Sequence, residues 1–422
     1  MLTTGSPTNW AGNVTFAAAR CHRPTSLTEL RRIVAGARRV RALGSGHSFN
    51  RIADTEGDLI RLDGLPRRVE IDPERRRVTV SGGMRYGEFT EELHRAGLAL
   101  ENLASLPHIS VAGACATGTH GSGDGRRSLA AAVAGMEIVG PDGELYRLDR
   151  DTDAERLHGA AVHLGALGVV TGVTLDLVPT FEVAQWVYTG LSLDALAERF
   201  DTVFAAAYSV SVFTDWRSGT GRVWLKRRTD ADGAESPGPR WLGAEPAQEP
   251  HHPVPGMPVA ACTAQAGVPG PWYARLPHFR GECTPSHGEE LQSELLLPRG
   301  AAAAAVAELR RLGGRIAPVL QTSEVRTVAA DDAWLSPAYG RDSVAVHFTW
   351  VRDTAAVLPV LTAVEEALLP LGARPHWGKL TTVDPAELRA RYERAEDFRR
   401  LLAELDPAGT FRNAFVDSLF PA

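Results

Sequence analysis

Two segments of this chain place reactive side chains at the spacing of a β-strand face. Glu324 and Arg326 stand two residues apart in SEVRTV, and so do His347 and Thr349 in VHFTW. Strand alternation points each pair to one side. Lys379 follows a Trp-Gly turn in HWGK. Together these are donors and acceptors on strands of otherwise apolar pattern, a set suited to a ligand with many hydroxyls. A plainer reading stands beside it, in which Glu324 and Arg326 are exposed charges that contribute little energetically.

Another histidine sits in a different setting. The stretch RALGSGHSFN, residues 41–50, surrounds His47 with Gly44, Ser45, Gly46 and Ser48. It is not a dinucleotide fingerprint, because Phe49 stands where the third glycine belongs, and it lacks the Gly-Lys-Ser/Thr of a P-loop. Successive N–H groups of small residues can form an anion nest. A solvated glycine turn with an incidental histidine is the alternative. The block ENLASLPHISVAGACATGTHGSG adds Gly113, Ala114, Ala116, Gly118, Gly121, Ser122 and Gly123, which let backbone approach a ligand closely. Two such loops in one domain fit one long ligand, and a pyrophosphate-linked dinucleotide such as FAD meets that demand.

Five blocks, LGSGHSFN, ASLPHISVAGACATGTHGSG, LGALGVVT, HWGK and DPAGTFRNAF, occur in order along nearly the whole chain. They resemble the FAD-binding fold of the vanillyl-alcohol oxidase superfamily, and within it most closely the alditol oxidases. The resemblance implies covalent FAD, with His47 joined to the 8α-methyl of the flavin, where the protein can tune the ring. It also implies that Gly44, Ser45, Gly46, Ser48, Ser110, Val111, Ala112, Gly113, Gly118, Thr119, His120, Gly121 and Ser122 lie along the cofactor, with Val169 and Val170 on its adenine side. The residues alone leave open that His108 and His120 are hydrogen-bonded loop histidines, and that Val169 and Val170 are core strand residues.

On the substrate side, the resemblance implies that Ser105 and Gln292 join Glu324, Arg326, His347, Thr349 and Lys379 in a polar pocket before the flavin. Arg326 and Lys379 are expected to polarise the reacting hydroxyl, and His347 and Thr349 to position the reacting end. Glu324, Ser105 and Gln292 would hold the distal hydroxyls. The expected reaction oxidises the terminal primary alcohol of an alditol such as xylitol or sorbitol to the aldehyde, by hydride transfer to flavin N5, and reduces O2 to peroxide. An aldonolactone oxidase or dehydrogenase is the alternative on the same scaffold. Ala104 stands where the family often controls oxygen access, which leaves that choice open. A sugar-binding module that uses the glycines only for turns is a third reading, and it would be colourless.

These side chains need a scaffold. SLTELRRIVAGARRVRALGSG reads as a helix with a Ser26/Glu29 capping box, followed by a strand at Val40 to Leu43. A strand at 77–81, a glycine turn and a helix at 86–96 repeat the plan. The 101–123 block reads as too irregular for a helix, and AAVAGMEIVGPDGELYRLDR reads as a hairpin. A small-residue helix and a strand through Val169, Val170, Val173 and Leu175 close an N-terminal unit near residue 180. Five strand-like pieces and helices at 301–312 and 354–370 then suggest an antiparallel sheet with helices on one face. Residues 228–275, rich in Pro, Gly, Ala and His, read as a long surface excursion. The expected class is α+β and two-lobed, of the vanillyl-alcohol oxidase type. It comprises an FAD-binding domain (1–180), a substrate or cap domain (181–370) and a C-terminal segment (371–422) returning to the first.

Composition narrows the rest. A chain of 422 residues exceeds the usual size of one core, and 44% hydrophobic with 23% charged residues is ordinary for a globular protein. A net charge of −6 with no basic tract argues against nucleic acid, and Arg38 and Arg39 fit a helix end. The start MLTTGSPTNWAGN lacks the regions of a signal peptide. No stretch reads as the roughly 18 apolar residues needed to span a bilayer, so no membrane is expected. Cys21, Cys115, Cys262 and Cys283 form no C-x-x-C pair. His251 and His252 lack a third ligand, so no metal is expected. A cytoplasmic monomer acting on a polyol and O2 is the resulting expectation.

Overall fold

The computed structural model describes residues 7–230, 238–283 and 288–421. The first six residues of the N-terminal reading and the 231–237 part of the excursion lie outside the described residues.

The N-terminal lobe is built on two small sheets. Strands Arg20–His22, Asp58–Arg61 and Val40–Leu43 run parallel in that spatial order. Helix Leu27–Ala35 starts where Ser26 Oγ accepts the Glu29 N–H. The capping box is only half formed, because the Glu29 carboxylate accepts the N–H of Thr25 instead of Ser26. Leu30 and Val34 of this helix pack with Val40, Ile60, Val139, Val169 and Phe411. An antiparallel sheet has the order Val69–Asp72, Arg77–Ser81, Val169–Asp176, Val133–Val139, Leu145–Asp149, and includes the expected hairpin.

The 101–123 block is more regular than its sequence suggested, for Val111–Ala116 is a short helix. Small residues give it no amphipathic period, yet they let it press directly on the sheet. Val111 N–H and Ala112 N–H donate to the carbonyls of Met84 and Gly82. A Cβ on Gly82 would lie 2.4 Å from the Val170 oxygen and 3.2 Å from Ala112 Cβ.

The second lobe is a nine-stranded antiparallel sheet. Its five long inner strands run Thr220–Arg228, Ser209–Thr214, Leu320–Val328, Ser343–Val351, Glu290–Pro298, and Glu182–Ser192 lies outside the first of these. Strand alternation divides two environments. Val325, Val344, Val346, Phe348, Leu291 and Leu295 face helices Ala302–Ile316 and Thr354–Leu368 in one buried cluster. The residues between them face the other lobe.

Two expectations are corrected here. The helical stretch Thr354–Leu371 is long and apolar enough, by length and composition, to cross a membrane. In this fold Val357, Val364 and Leu368 bury its apolar face against the sheet. The excursion is also more than surface. Glu245–Pro246 and Gly270–Pro271 pair with the outer strand Glu182–Ser192, while His252, Pro253, Val254 and Met257 reach into the interior cavity.

After strand Arg374–Pro375, which edges the large sheet, the chain returns to the first lobe. Trp377, Tyr392, Phe398, Leu401 and Phe420 belong to the same buried cluster as Val78, Val173 and Leu157. Gly82→Ala is expected to lower unfolding stability by about 1–3 kcal/mol through overpacking, read from denaturant midpoints.

Candidate active site

One cavity runs between the lobes, and the glycine loops form part of its wall. Gly44, Ser45, Gly46, His47, Ser48, Ser110, Gly113, Thr119 and His120 line it. The two loops clasp each other: Ser45 N–H donates to Ser110 Oγ at 3.3 Å, and Ser110 N–H donates to Ser45 Oγ at 3.2 Å. A Cβ on Gly44 would meet Ser110 Oγ at 2.1 Å, so the clasp needs glycine there.

His47 stacks on Trp10, with ring centroids 4.9 Å apart. Its Nδ1 is buried without a well-formed hydrogen bond, and burial lowers the imidazole to about 4, leaving it neutral. A neutral imidazole with an uncommitted nitrogen, set among glycines in a long cleft, fits a covalently held dinucleotide.

Seven residues expected along the cofactor are not on the cavity wall. Val111 and Ala112 are buried in the short helix, and Val169 and Val170 are interior strand residues. Gly118 takes a left-handed φ of +66° against Pro337. Gly121 is enclosed by Asn102 and Leu103, and the Ser122 hydroxyl donates to the Val210 carbonyl. These positions hold the loops in shape.

The polar side of the cavity holds the residues read from the strands and one more. Ser105, Gln292, Glu324, Arg326, His347, Thr349 and Lys379 all line the same cavity. At its centre is Glu294, which sequence reasoning missed. Its carboxylate pairs with Lys379 Nζ at 2.7 Å and with the Arg326 guanidinium, and His120 Nε2 lies 3.4 Å away. Burial alone would raise this carboxyl, but Lys379 and Arg326 hold it well below the ordinary value. Arg326 and Lys379 are therefore charge-balanced by a carboxylate and are not bare cations.

Glu324 has a second support. Burial would raise it, yet Arg326 and the His278 hydrogen bond of 3.0 Å bring it below the usual range. Behind it, Lys226 Nζ lies 2.5 Å from the Leu276 carbonyl and 3.4 Å from His278 Nδ1. His278 N–H also donates to the Ser105 carbonyl, which ties both lobes together at the pocket.

Lys379 is placed through backbone contacts. Asn50 Nδ2 donates to the carbonyls of Trp377 and Lys379, and Phe49 N–H donates to the Gly378 carbonyl. The loop that carries His47 thus grips the turn that carries Lys379. Glu290 and Glu294 shared with Gln292 the two-residue spacing that flagged the other pairs. His278 and Lys226 gave no local signal, since only tertiary pairing brings them together.

Residues 18–149 match the FAD binding domain family, and residues 289–419 match the D-arabinono-1,4-lactone oxidase family. Glucooligosaccharide oxidase from Acremonium strictum, described with a 6-S-cysteinyl, 8α-N1-histidyl FAD, superposes with a TM-score of 0.74 at 14% identity, covering 98% of this chain and 94% of that one. The fold is that of a vanillyl-alcohol-oxidase-type flavoprotein.

More closely, the chain is 55% identical over 98% of both lengths to a Streptomyces sp. protein named alditol oxidase. It is 31% identical to the L-gulono-1,4-lactone dehydrogenase of Mycobacterium tuberculosis, over 97% of each chain. The chain belongs to the alditol oxidase family of FAD-dependent oxidoreductases.

Burial lowers His163 to about 3, His278 to about 4 and His347 to about 3. Each stays neutral in the fold while its unfolded counterpart, near 6.5, takes up a proton. Stability therefore falls as pH drops below about 6.5, by roughly 1.4 kcal/mol per pH unit per histidine until the folded values are reached. Urea unfolding at pH 7.5, 6.5 and 5.5 should show little change over the first step and a steep loss over the second.

Proposed function

We propose that the chain oxidises the terminal primary alcohol of straight-chain polyols such as xylitol and sorbitol to the aldose, using covalently held FAD and returning the electrons to O2 as peroxide. The single observation that carries this reading is the belt of seven polar residues, Ser105 through Lys379, facing the same cavity as the His47 loop. A site that must satisfy several hydroxyls at once rejects ligands that lack them, because its own buried groups would go unpaired. The greater identity to the alditol oxidase than to the lactone dehydrogenase favours a polyol over a lactone. Four cysteines, none in a disulfide, support a reducing compartment such as the cytoplasm.

Bound flavin supplies the two-electron acceptor and, on reoxidation, the peroxide. The histidyl linkage described for the Acremonium oxidase and the uncommitted Nδ1 of His47 support attachment at His47. The protein's part is positional and electrostatic. Lys379 and Arg326 aim donors at the oxygen of the reacting hydroxyl, where negative charge grows as its proton leaves. Glu294 fixes both cations at one separation, so no reorganisation is needed when that charge appears. Glu324, held ionised, accepts from distal hydroxyls together with Ser105 and Gln292. His347 and Thr349 flank the reacting end.

The test is the colour of an acid-precipitated pellet, followed by peroxide release on xylitol and on L-gulono-1,4-lactone. A yellow pellet and turnover of xylitol well above the lactone are expected. Faster lactone turnover would overturn the substrate reading, and His47→Ala should release the flavin into the supernatant. Lys379→Met should retain flavin and lose about a hundredfold or more in kcat, measured as the rate of anaerobic flavin bleaching by xylitol.

A further inference from the structure

Glu290, Gln292 and Glu294 share one face of strand Glu290–Pro298, and that strand pairs in register with Ser343–Val351, setting Gln292 opposite Thr349 and Glu294 opposite His347. Gln292 sits between a carboxylate and an imidazole. Its Nε2 lies 2.6 Å from Glu290 Oε1, and its Oε1 lies 3.0 Å from His347 Nε2.

Hydrogen-bond inventory fixes the direction of this chain. An ionised carboxylate only accepts, so the amide must turn its NH2 toward Glu290. Its oxygen, which also only accepts, then faces His347, and Nε2 must carry the hydrogen. In a neutral imidazole the lone pair falls on the other nitrogen. No hydrogen bond to His347 Nδ1 is present among the described residues, and the ring lines the cavity. Burial first, and then the charge of Lys379, keep the ring neutral.

We propose that Glu290 is a positioning residue for the oxidation: through Gln292 it locks His347 as the Nε2–H tautomer, so that Nδ1 accepts a hydrogen bond from a substrate hydroxyl. The pocket then offers a neutral acceptor in addition to its carboxylates, which are already engaged by Lys379, Arg326 and His278. A hydroxyl can donate to Nδ1 and still accept from Lys379 or Arg326, whereas an ether or carbonyl oxygen would meet the Nδ1 lone pair with its own. The lock thus selects a free alcohol at that point. This deepens the polyol reading and rests on it.

The test uses holoenzyme labelled with 15N-histidine, with His347→Asn to assign the ring. Wild type is expected to show a protonated Nε2 and an unprotonated Nδ1 at neutral pH. Glu290→Gln removes the obligatory acceptor, lets Gln292 turn, and should populate the Nδ1–H form. Its kcat/KM on xylitol should fall about tenfold, the scale of one lost hydrogen bond to a buried group, with flavin content and thermal midpoint unchanged. Glu290→Asp should recover part of the loss. A wild-type ring protonated on Nδ1 overturns the proposal without recourse to any variant, as does a Glu290→Gln enzyme with unaltered tautomer and kinetics. If polyols are not turned over but lactones are, the substrate reading fails separately, since the nitrogen spectrum still decides the lock.

Discussion

One buried carboxylate holds this protein's working parts in relation to each other. Glu294 comes from the second lobe's sheet, and its oxygens meet Arg326 from a neighbouring region of that sheet, Lys379 from the returning C-terminal segment, and His120 from the first lobe's glycine-rich block. Two cations in a water-poor cleft are costly unless paired, and a lone buried carboxylate equally so. The three segments must therefore arrive together. The cluster contributes less through net stability than through uniqueness of arrangement, since any other packing strands a charge.

The cap sheet separates this cluster from its supports by simple alternation. On Ser343–Val351 the residues Val346, Phe348 and Trp350 are gripped by helices, and the intervening His347 and Thr349 are thereby aimed at the cavity. This wall of the cavity thus inherits the rigidity of a packed core. On the cofactor side rigidity comes from backbone proximity: the Ser45–Ser110 clasp and the Asn50 grip on the Lys379 turn fix irregular loops that have no regular hydrogen-bond ladder.

How much of this could be read from the chain depended on the range of the signal. Strand alternation acts over two residues, and it was enough to pair Glu324 with Arg326 and His347 with Thr349 on one face. The same spacing existed for Glu290, Gln292 and Glu294, but only Gln292 was singled out on that strand, and two carboxylates went unnoticed. The helix at Val111–Ala116 was hidden because alanine and glycine carry no amphipathic pattern. Lys226 and His278 lie 52 residues apart and meet only through the folding of the proline-rich excursion, so nothing local could have announced them. Small residues near a glycine loop also looked alike, although Gly44 faces the cleft and Gly121 faces a wall of protein.

Arg41 shows a different dependence. Its guanidinium is buried and forms no ion pair among the described residues; its two terminal nitrogens donate to the carbonyls of Ile52, Leu164, Gly165 and Phe411, while Nε has no partner there. Beside it, Val40 N–H donates to the Thr410 carbonyl, and Asn413 donates to the carbonyl of Ile52. The strand leading into the His47 loop is thus completed by residues some 370 positions further along the chain. The loop's sequence is therefore made well before the segment that completes the strand beneath it, and a chain that has reached only the loop has its residues without this support.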